Sequence, residues 1–293
     1  MFMFGELRSL YQGYTADDDT VGVIQVDKTS RQSPNTDGFD TILLVVKNAD
    51  EKIWSVKHYQ IGTESVALHL VSSQRLEDWI KFSTYRRMIQ WISTGKVLFD
   101  RNEFLGELKQ EISRFPEELR EVKLTQEYAK AIRIFKEAIQ LYDKEEELDC
   151  FNKVLRTLHS IGRLSVIKEG FYPELTGWQQ IKRLDAGTYK LYEELVLSHE
   201  PLKERVELML LAMDFTLSNK VVEASEHLIN IMADDVWKID ALKERVTTFD
   251  YHLDLAILIG YLIEKKMIVV EEVASKNPHV KHRYYRVSEQ TRK

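Results

Sequence analysis

Two aspartates, Asp37 and Asp40, stand just ahead of an apolar run in the stretch SPNTDGFDTILLVV, residues 33–46. Carboxylates at the mouth of a buried strand are suited to holding a divalent cation over a substrate. Two-ion phosphoryl or nucleotidyl transfer needs such groups to converge on ions roughly 3.5–4 Å apart. In an extended strand only residues an even number apart face the same way, so Asp37 and Asp40 diverge unless the chain bends or bulges at Gly38. The residues therefore leave three readings open. Asp37 and Gly38 form a turn and Asp40 caps a strand; or Asp40 binds a metal with His69 of ESVALHLV and Asp37; or the pair serves some other ligand role. Lys28, His58, Arg86 and Arg87 are the groups available to meet an anionic ligand or cofactor. Lys57 and His58 are adjacent in an extended run and so face opposite sides, which leaves only one of them for a cleft. Lys81, Arg86 and Arg87 share a helical segment with Glu77 and Asp78, and a solvated helix face competes there with phosphate binding.

The elements that must position these groups are short and β-rich. TVGVIQVDK, GFDTILLVVKNA, KIWSVKHYQIG and ESVALHLVSS are β-branched or aromatic runs separated by turn residues, which predicts four strands after an opening helix around Glu6 to Tyr14. The connections NADEK and IGTES are of hairpin length, so consecutive strands are expected to be antiparallel neighbours. SSQRLEDWIKFSTYRRMIQWISTG then changes to helical spacing and stops at Gly95.

The whole chain has 293 residues, 44% apolar and 30% charged, with a net charge of −6. That length suits two or three domains with real cores, and the negative charge argues against a protein that coats nucleic acid non-specifically. A single cysteine, Cys150, allows no internal disulfide and no thiolate zinc site. The amino end lacks a continuous apolar core and a small-residue cleavage site, and no run of 18 apolar residues occurs. Neither a signal peptide nor a membrane span is expected, and the cytoplasm is the expected compartment.

From Arg101 to Asn219 the apolar residues recur at three- and four-residue steps, predicting an antiparallel helical bundle broken at Gly170 to Pro173. Within it His159 and Arg163 share a face, and Glu127, Glu169 and Glu174 are available carboxylates; Tyr172 and Trp178 are aromatic residues of core or interface type. From Lys220 onward, VVEASEHLINIM, KIDALKERV and DYHLDLAILIGYLIEKK predict three helices, and MIVVEEVA with KHRYYRV predicts a two-stranded wing. The helix that would enter a DNA groove starts with Asp250, His252 and Asp254, which is unfavourable for phosphate. The wing carries Lys276, His279, Lys281, His282, Arg283 and Arg286, then Arg292 and Lys293, with little acid to cancel them in sequence. The fold class is thus an α/β (α+β) sheet domain at 1–100, an all-α helical bundle at 101–219 and a winged helix-turn-helix at 220–293.

SPNTDGFDTILLVV, VKHYQIG, GKVLFDRNEF and RLSVIKEGFYPELTGWQQI together resemble the YgxA-type nucleotidyltransferase-like proteins of bacteria, over nearly the full length. Those proteins join a domain with the polymerase-beta nucleotidyltransferase fold to a helical substrate-binding-like domain and a helix-turn-helix. The resemblance implies Mg²⁺ and a nucleoside triphosphate as cofactors if the site is active, with Asp40 at the second aspartate of the superfamily motif. The first aspartate's position holds Gly38, and the usual Gly-Ser is replaced by Asp27-Lys28. Helical domains of kanamycin-type nucleotidyltransferases present the acceptor to the nucleotide cleft, and the segment around His159 is similar to their central helix pair. In the helical RNases paired with minimal nucleotidyltransferases, Arg and His stand further apart than Arg156 and His159 do here. Three functions follow: a ligand-binding pseudoenzyme with a degenerate metal site, an active Mg²⁺-dependent nucleotidyltransferase, and a nucleic-acid-binding regulator working through Lys276, Lys281, Arg283 and Arg286. The expected partners are a nucleotide and nucleic acid, with no membrane, and a homodimer is among the expected assemblies.

Overall fold

The computed structural model describes residues 3–29, 34–49, 53–82, 85–113, 117–174, 177–233, 235–249, 251–277 and 279–291. The chain divides into two compact units, residues 1–115 and 116–293.

The first unit opens with helix α1 (Met3–Ala16) and strands β1 (Thr20–Asp27) and β2 (Thr41–Lys47), followed by β3 (Trp54–Ile61) and β4 (Glu64–Ser72). Two helices, α2 (Ser73–Phe82) and α3 (Arg86–Thr94), come from the segment that reads as one helical stretch. They are followed by β5 (Lys96–Asp100) and α4 (Phe104–Ser113). The sheet has five strands in the order β3-β4-β2-β1-β5. β5 is an addition to the four expected strands; it pairs antiparallel with β1 at the edge, where few apolar side chains are needed to mark it.

The expected β2–β3 hairpin does not form. β2 pairs in parallel with β4, and β3 lies outside β4 in an antiparallel pair. Burial explains the order: β2 and the centre of β4 are solidly apolar, whereas β3 carries Lys57, His58 and Gln60 and remains largely exposed. A strand buried on both faces belongs inside the sheet and a polar one at its edge. β2 and β3 are therefore separated by one intervening strand.

On one face of the sheet, Leu7 of α1 packs with Val23, Leu43, Val45, Val66 and Leu68. The alternate residues Ile24, Ile42, Leu44, Ala67 and His69 point to the opposite face, where α2 and α3 contribute buried Trp79, Ile80, Met88, Trp91 and Ile92. Gly95 ends α3 with its N–H donating to the Trp91 carbonyl at 2.8 Å.

The second unit begins with α5 (Glu117–Asp143), α6 (Glu147–Lys168), α7 (Trp178–Leu184), α8 (Ala186–Leu197) and α9 (Leu202–Met232). α5, α6 and α9 pack together around Tyr128, Phe135, Leu158, Ile161, Met213 and Leu217, all buried. Arg163 pairs with Glu127 at 3.1 Å inside this packing, with both side chains buried. VVEASEHLINIM is the last third of α9 rather than a separate helix, so the backbone runs unbroken through residue 220. Next come α10 (Ile239–Val246), a 3-10 turn at Thr247–Phe249, α11 (Leu255–Glu264), and the antiparallel pair β6 (Ile268–Ala274) and β7 (Lys281–Val287). Trp237 extends that pair through reciprocal backbone bonds with Tyr285 at 2.8 and 2.9 Å.

A methyl group added at Gly95 would lie 2.5 Å from the Trp91 carbonyl oxygen, which is backbone and cannot swing aside. Gly95→Ala is expected to lower the unfolding free energy by about 1–3 kcal/mol in a denaturant titration, through displacement of the α3–β1 junction.

Candidate functional site: a polar cleft at the end of the sheet

Thr36 to Phe39 form a tight turn closed by a 2.9 Å bond from the Phe39 N–H to the Thr36 carbonyl. Its two central residues, Asp37 and Gly38, have φ of 52° and 87°. Two successive positive φ values define a type I′ turn, a geometry in which Asp-Gly is a favoured pair. The turn is pinned from below: Trp91 Nε1 donates to the Asn35 carbonyl at 2.6 Å, and the Asp37 carboxylate pairs with Arg87. Asp37 is thereby directed toward α3.

Asp40 has different partners. Its Oδ2 accepts hydrogen bonds from the Ser65 N–H at 2.9 Å and the Ser65 hydroxyl at 2.8 Å. Its Oδ1 lies 3.4 Å from Lys28 Nζ, which is also 3.4 Å from the Gly38 carbonyl. The Ser65 backbone bond, then its hydroxyl, with Lys28 adding charge, hold the Asp40 carboxyl below the ordinary range of an aspartate.

These groups open onto a cleft of about 350 Å³. Leu7, Ile61 and Val66 line its apolar part, and Gln25, Asp27, Lys28, Asp40, Thr41 and Glu64 supply its polar wall. Asp27 Oδ1 accepts from Gln25 Nε2 at 2.7 Å and from Thr41 Oγ1 at 3.1 Å. Gln25, Thr41, Glu64 and Ser65 were not named as site residues from the sequence, and Asp27 was noted only for standing, with Lys28, in the place of the Gly-Ser. The hint available was that each lies at a strand end, but their convergence depends on the parallel β2–β4 register.

His69 lies elsewhere. It sits opposite Leu44 in the β2–β4 register, while Thr41 sits opposite Val66. Val66 lines the cleft, and His69, three residues on, points to the other face of the sheet. There it is 5% exposed, accepts from Trp54 Nε1 at 3.4 Å, and meets the Trp91 ring edge-on at 4.8 Å. Burial, with a further contribution from His58, lowers its pKa to about 4. His58 is exposed on β3 with its ring 4.5 Å from that of Phe39. Arg87 is committed to Asp37, and the side chain of Arg86 lies outside the described residues.

A two-ion centre does not fit this arrangement. Asp37 and Asp40 are paired with different partners, His69 is buried against Trp54 and Trp91, and a lysine ammonium stands where a cation would approach Asp40. Among the described residues, no group of three or more His, Cys, Asp or Glu side chains is placed to hold a metal. Cys150 is not a candidate nucleophile: it is buried, its thiol donates to the Ala138 carbonyl at 3.2 Å, and burial pushes its pKa up to about 11.

In the second unit, Trp178 meets His159 at 5.2 Å and stacks on Tyr192 at 3.9 Å, so its ring is engaged within the chain. Glu174 pairs with Arg183 at 3.2 Å.

Three family descriptions match consecutive parts of the chain: "Nucleotidyltransferase-like" at residues 3–120, "YgxA-like substrate binding domain" at 121–220 and "Helix-turn-helix domain" at 226–287. The chain is 38% identical over 281 residues to the uncharacterized protein YgxA of Bacillus subtilis (strain 168), covering 95% of each. The chain belongs to the YgxA-like family. A crystal structure of a nucleotidyltransferase-like protein from Exiguobacterium sibiricum 255-15 superimposes with a TM-score of 0.76 at 32% identity, covering 97% of this chain and 99% of that one. Among the described residues no helix is long and apolar enough to cross a membrane.

The helix-turn-helix of this YgxA-like chain is less basic than its sequence suggests. The antiparallel register brings Glu271 and Glu272 of β6 across from β7. Lys281 pairs with Glu272 at 2.6 Å and Arg286 with Glu271, while Arg283 lies over the Tyr285 ring at 5.8 Å. The expectation of a segment with little acid to cancel it is corrected accordingly; Lys276 and His279 remain exposed at the hairpin tip, and Arg292 and Lys293 lie outside the described residues. α11 is clamped to α5 at both ends, by Arg133 to Asp254 at 2.7 Å and Lys136 to Glu264 at 2.7 Å. Asp254 thus serves an internal ion pair, and Asp250 lies outside the described residues.

Two outcomes follow from the site. Replacing Ser65 with Ala removes the hydroxyl donor, and the Asp40 carboxyl should titrate closer to its ordinary value in a carbon-detected NMR titration. For His69, a folded pKa of about 4 against 6.5 unfolded means the unfolded chain binds the extra proton first. Stability should therefore fall as pH drops from about 6.5 to about 4, by roughly 2–4 kcal/mol from this group. His69→Phe should flatten that part of the profile of urea unfolding against pH.

Proposed function

We propose that this protein is a nucleotidyltransferase-like ligand-binding protein, with its cleft used for recognition rather than for two-ion catalysis. The observation that carries the reading is the commitment of Asp40 to Ser65 and Lys28, with Asp37 turned to Arg87. A carboxylate satisfied in this way orients neighbouring polar groups; in particular it holds Lys28 at the rim, where the ammonium can meet an anionic part of a nucleotide or another small polar ligand. Asp27, Thr41 and Glu64 provide acceptors and a hydroxyl for the ligand's own donors. We extend the proposal to a three-part organisation, with a cleft-bearing domain at 1–100, a helical domain at 101–219 and a winged helix-turn-helix at 220–293. The lone buried thiol suits a reducing cytoplasm.

A second reading, nucleic-acid binding through Lys276 and its neighbours, is favoured by the helix-turn-helix match at 226–287. The cross-strand glutamates and the internal ion pair at Asp254 weigh against it.

Calorimetric titration with ATP and GTP, with and without Mg²⁺, tests the primary reading. Binding that is indifferent to Mg²⁺ and weakened in Lys28→Ala is expected, with no transfer of labelled nucleotide to protein or small hydroxyl acceptors. Mg²⁺-dependent binding abolished in Asp40→Ala, together with label transfer, would show an active transferase instead.

A further inference from the structure

α9 carries a surface that neither the cleft nor the helix-turn-helix uses. Leu208, Leu211, Phe215 and Val222 are 62%, 67%, 70% and 66% exposed. Their spacing of three, four and seven residues places them along one line of the helix, a stripe on the order of 20 Å long at 1.5 Å per residue. Single exposed apolar residues are ordinary, but four large ones in register on one helix mark a contact surface.

The charges around the stripe point to its occupant. Glu204 and Glu226 lie at its two ends, and Glu207 and Asp214 flank one side, all four exposed. The lysines and arginine of α9 are engaged with their own chain: Lys203 pairs with Glu145 at 3.6 Å, Arg205 donates to the Leu195 carbonyl at 2.7 Å, and Lys220 donates to the Ser165 hydroxyl at 3.1 Å. The stripe is thus apolar at its centre and acidic at its border. A second copy is a poor fit. An antiparallel two-fold pairing centred on Phe215 sets Glu204 against Glu226, and a parallel pairing sets Glu204, Asp214 and Glu226 each against itself.

We propose that the Leu208–Val222 face of α9 docks an amphipathic helix of a partner protein with apolar residues at three- and four-residue steps and lysine or arginine beside them. The apolar side chains would supply burial and the basic flanks the selectivity, in the helix-to-helix mode of recognition.

The test uses the full chain and a fluorescent synthetic peptide with Leu at i, i+3, i+7, i+10 and i+14 and Lys at the flanking positions. Its anisotropy should report binding that weakens as salt is raised and falls at least tenfold in the double variant Leu211→Glu, Phe215→Glu. Both residues are solvent-exposed, and an unchanged circular dichroism melt would confirm that the variant folds. The same peptide with Glu in place of Lys should bind at least tenfold more weakly. The proposal is overturned if the two peptides bind alike or not at all, or if the double variant leaves affinity unchanged. It is equally overturned if the chain sediments as a dimer that the double variant dissolves, since the stripe would then belong to a second copy.

Discussion

Two hydrogen bonds into one oxygen, from the Ser65 amide and hydroxyl to Asp40 Oδ2, tie the start of β2 to the start of β4. With the Asp40 N–H donating to the Ser65 carbonyl at 3.0 Å, they open the parallel register that runs from Thr41 opposite Val66 to Lys47 opposite Ser72. Once that register is set, β4 fills the place beside β2, β3 is displaced to the edge, and alternation fixes which side chains reach the cleft and which reach the helices. The same bonds occupy the carboxylate that the cleft would need for a metal. Structure and chemistry are therefore coupled at one residue, and the feature that stabilises the sheet is the feature that argues against two-ion catalysis.

The turn before Asp40 acts in the same sense. Its positive-φ pair reverses the chain over α3, where Trp91 holds the Asn35 carbonyl and Arg87 holds Asp37. An aspartate on a type I′ turn projects away from the strand that follows it, so proximity in sequence does not become proximity at a site. Lys28 is the one cation the described cleft presents, and its place beside Asp40 leaves the cleft acidic on balance, through Asp27 and Glu64. Ligand selection there would depend on hydrogen-bond geometry more than on bulk charge.

In the second unit several charged side chains are paired with others of the same chain, some buried and some at the surface. Glu127 and Arg163 are buried as a pair, Arg133 and Lys136 of α5 hold the two ends of α11, and β6 neutralises part of β7. Truncating one partner of a buried pair leaves the other without compensation, so such pairs fix how helices meet even where their net contribution to stability is small. The long α9 is the exception, with an apolar line and an acidic border facing solvent.

Much was legible in the residues themselves. Solid β-branched runs marked β1, β2 and β4, three- and four-residue spacing marked the bundle, Gly95 marked the end of α3, and Asp37-Gly38 carried the local chemistry of a turn. These features depend on neighbours within a few positions, where side-chain shape and backbone freedom act directly. The parallel pairing of β2 with β4, the edge position of β3, the edge strand β5 and the pairing of β7 cations with β6 glutamates were decided by tertiary structure. Each depends on which surfaces compete for burial across dozens of residues, and the length of NADEK alone does not say whether the strands on either side of it pair. For the same reason the sequence could name Asp40 and His69 as candidates, while only the tertiary structure bonded Asp40 to Ser65 at the strand start and buried His69 further along β4 against Trp54 and Trp91.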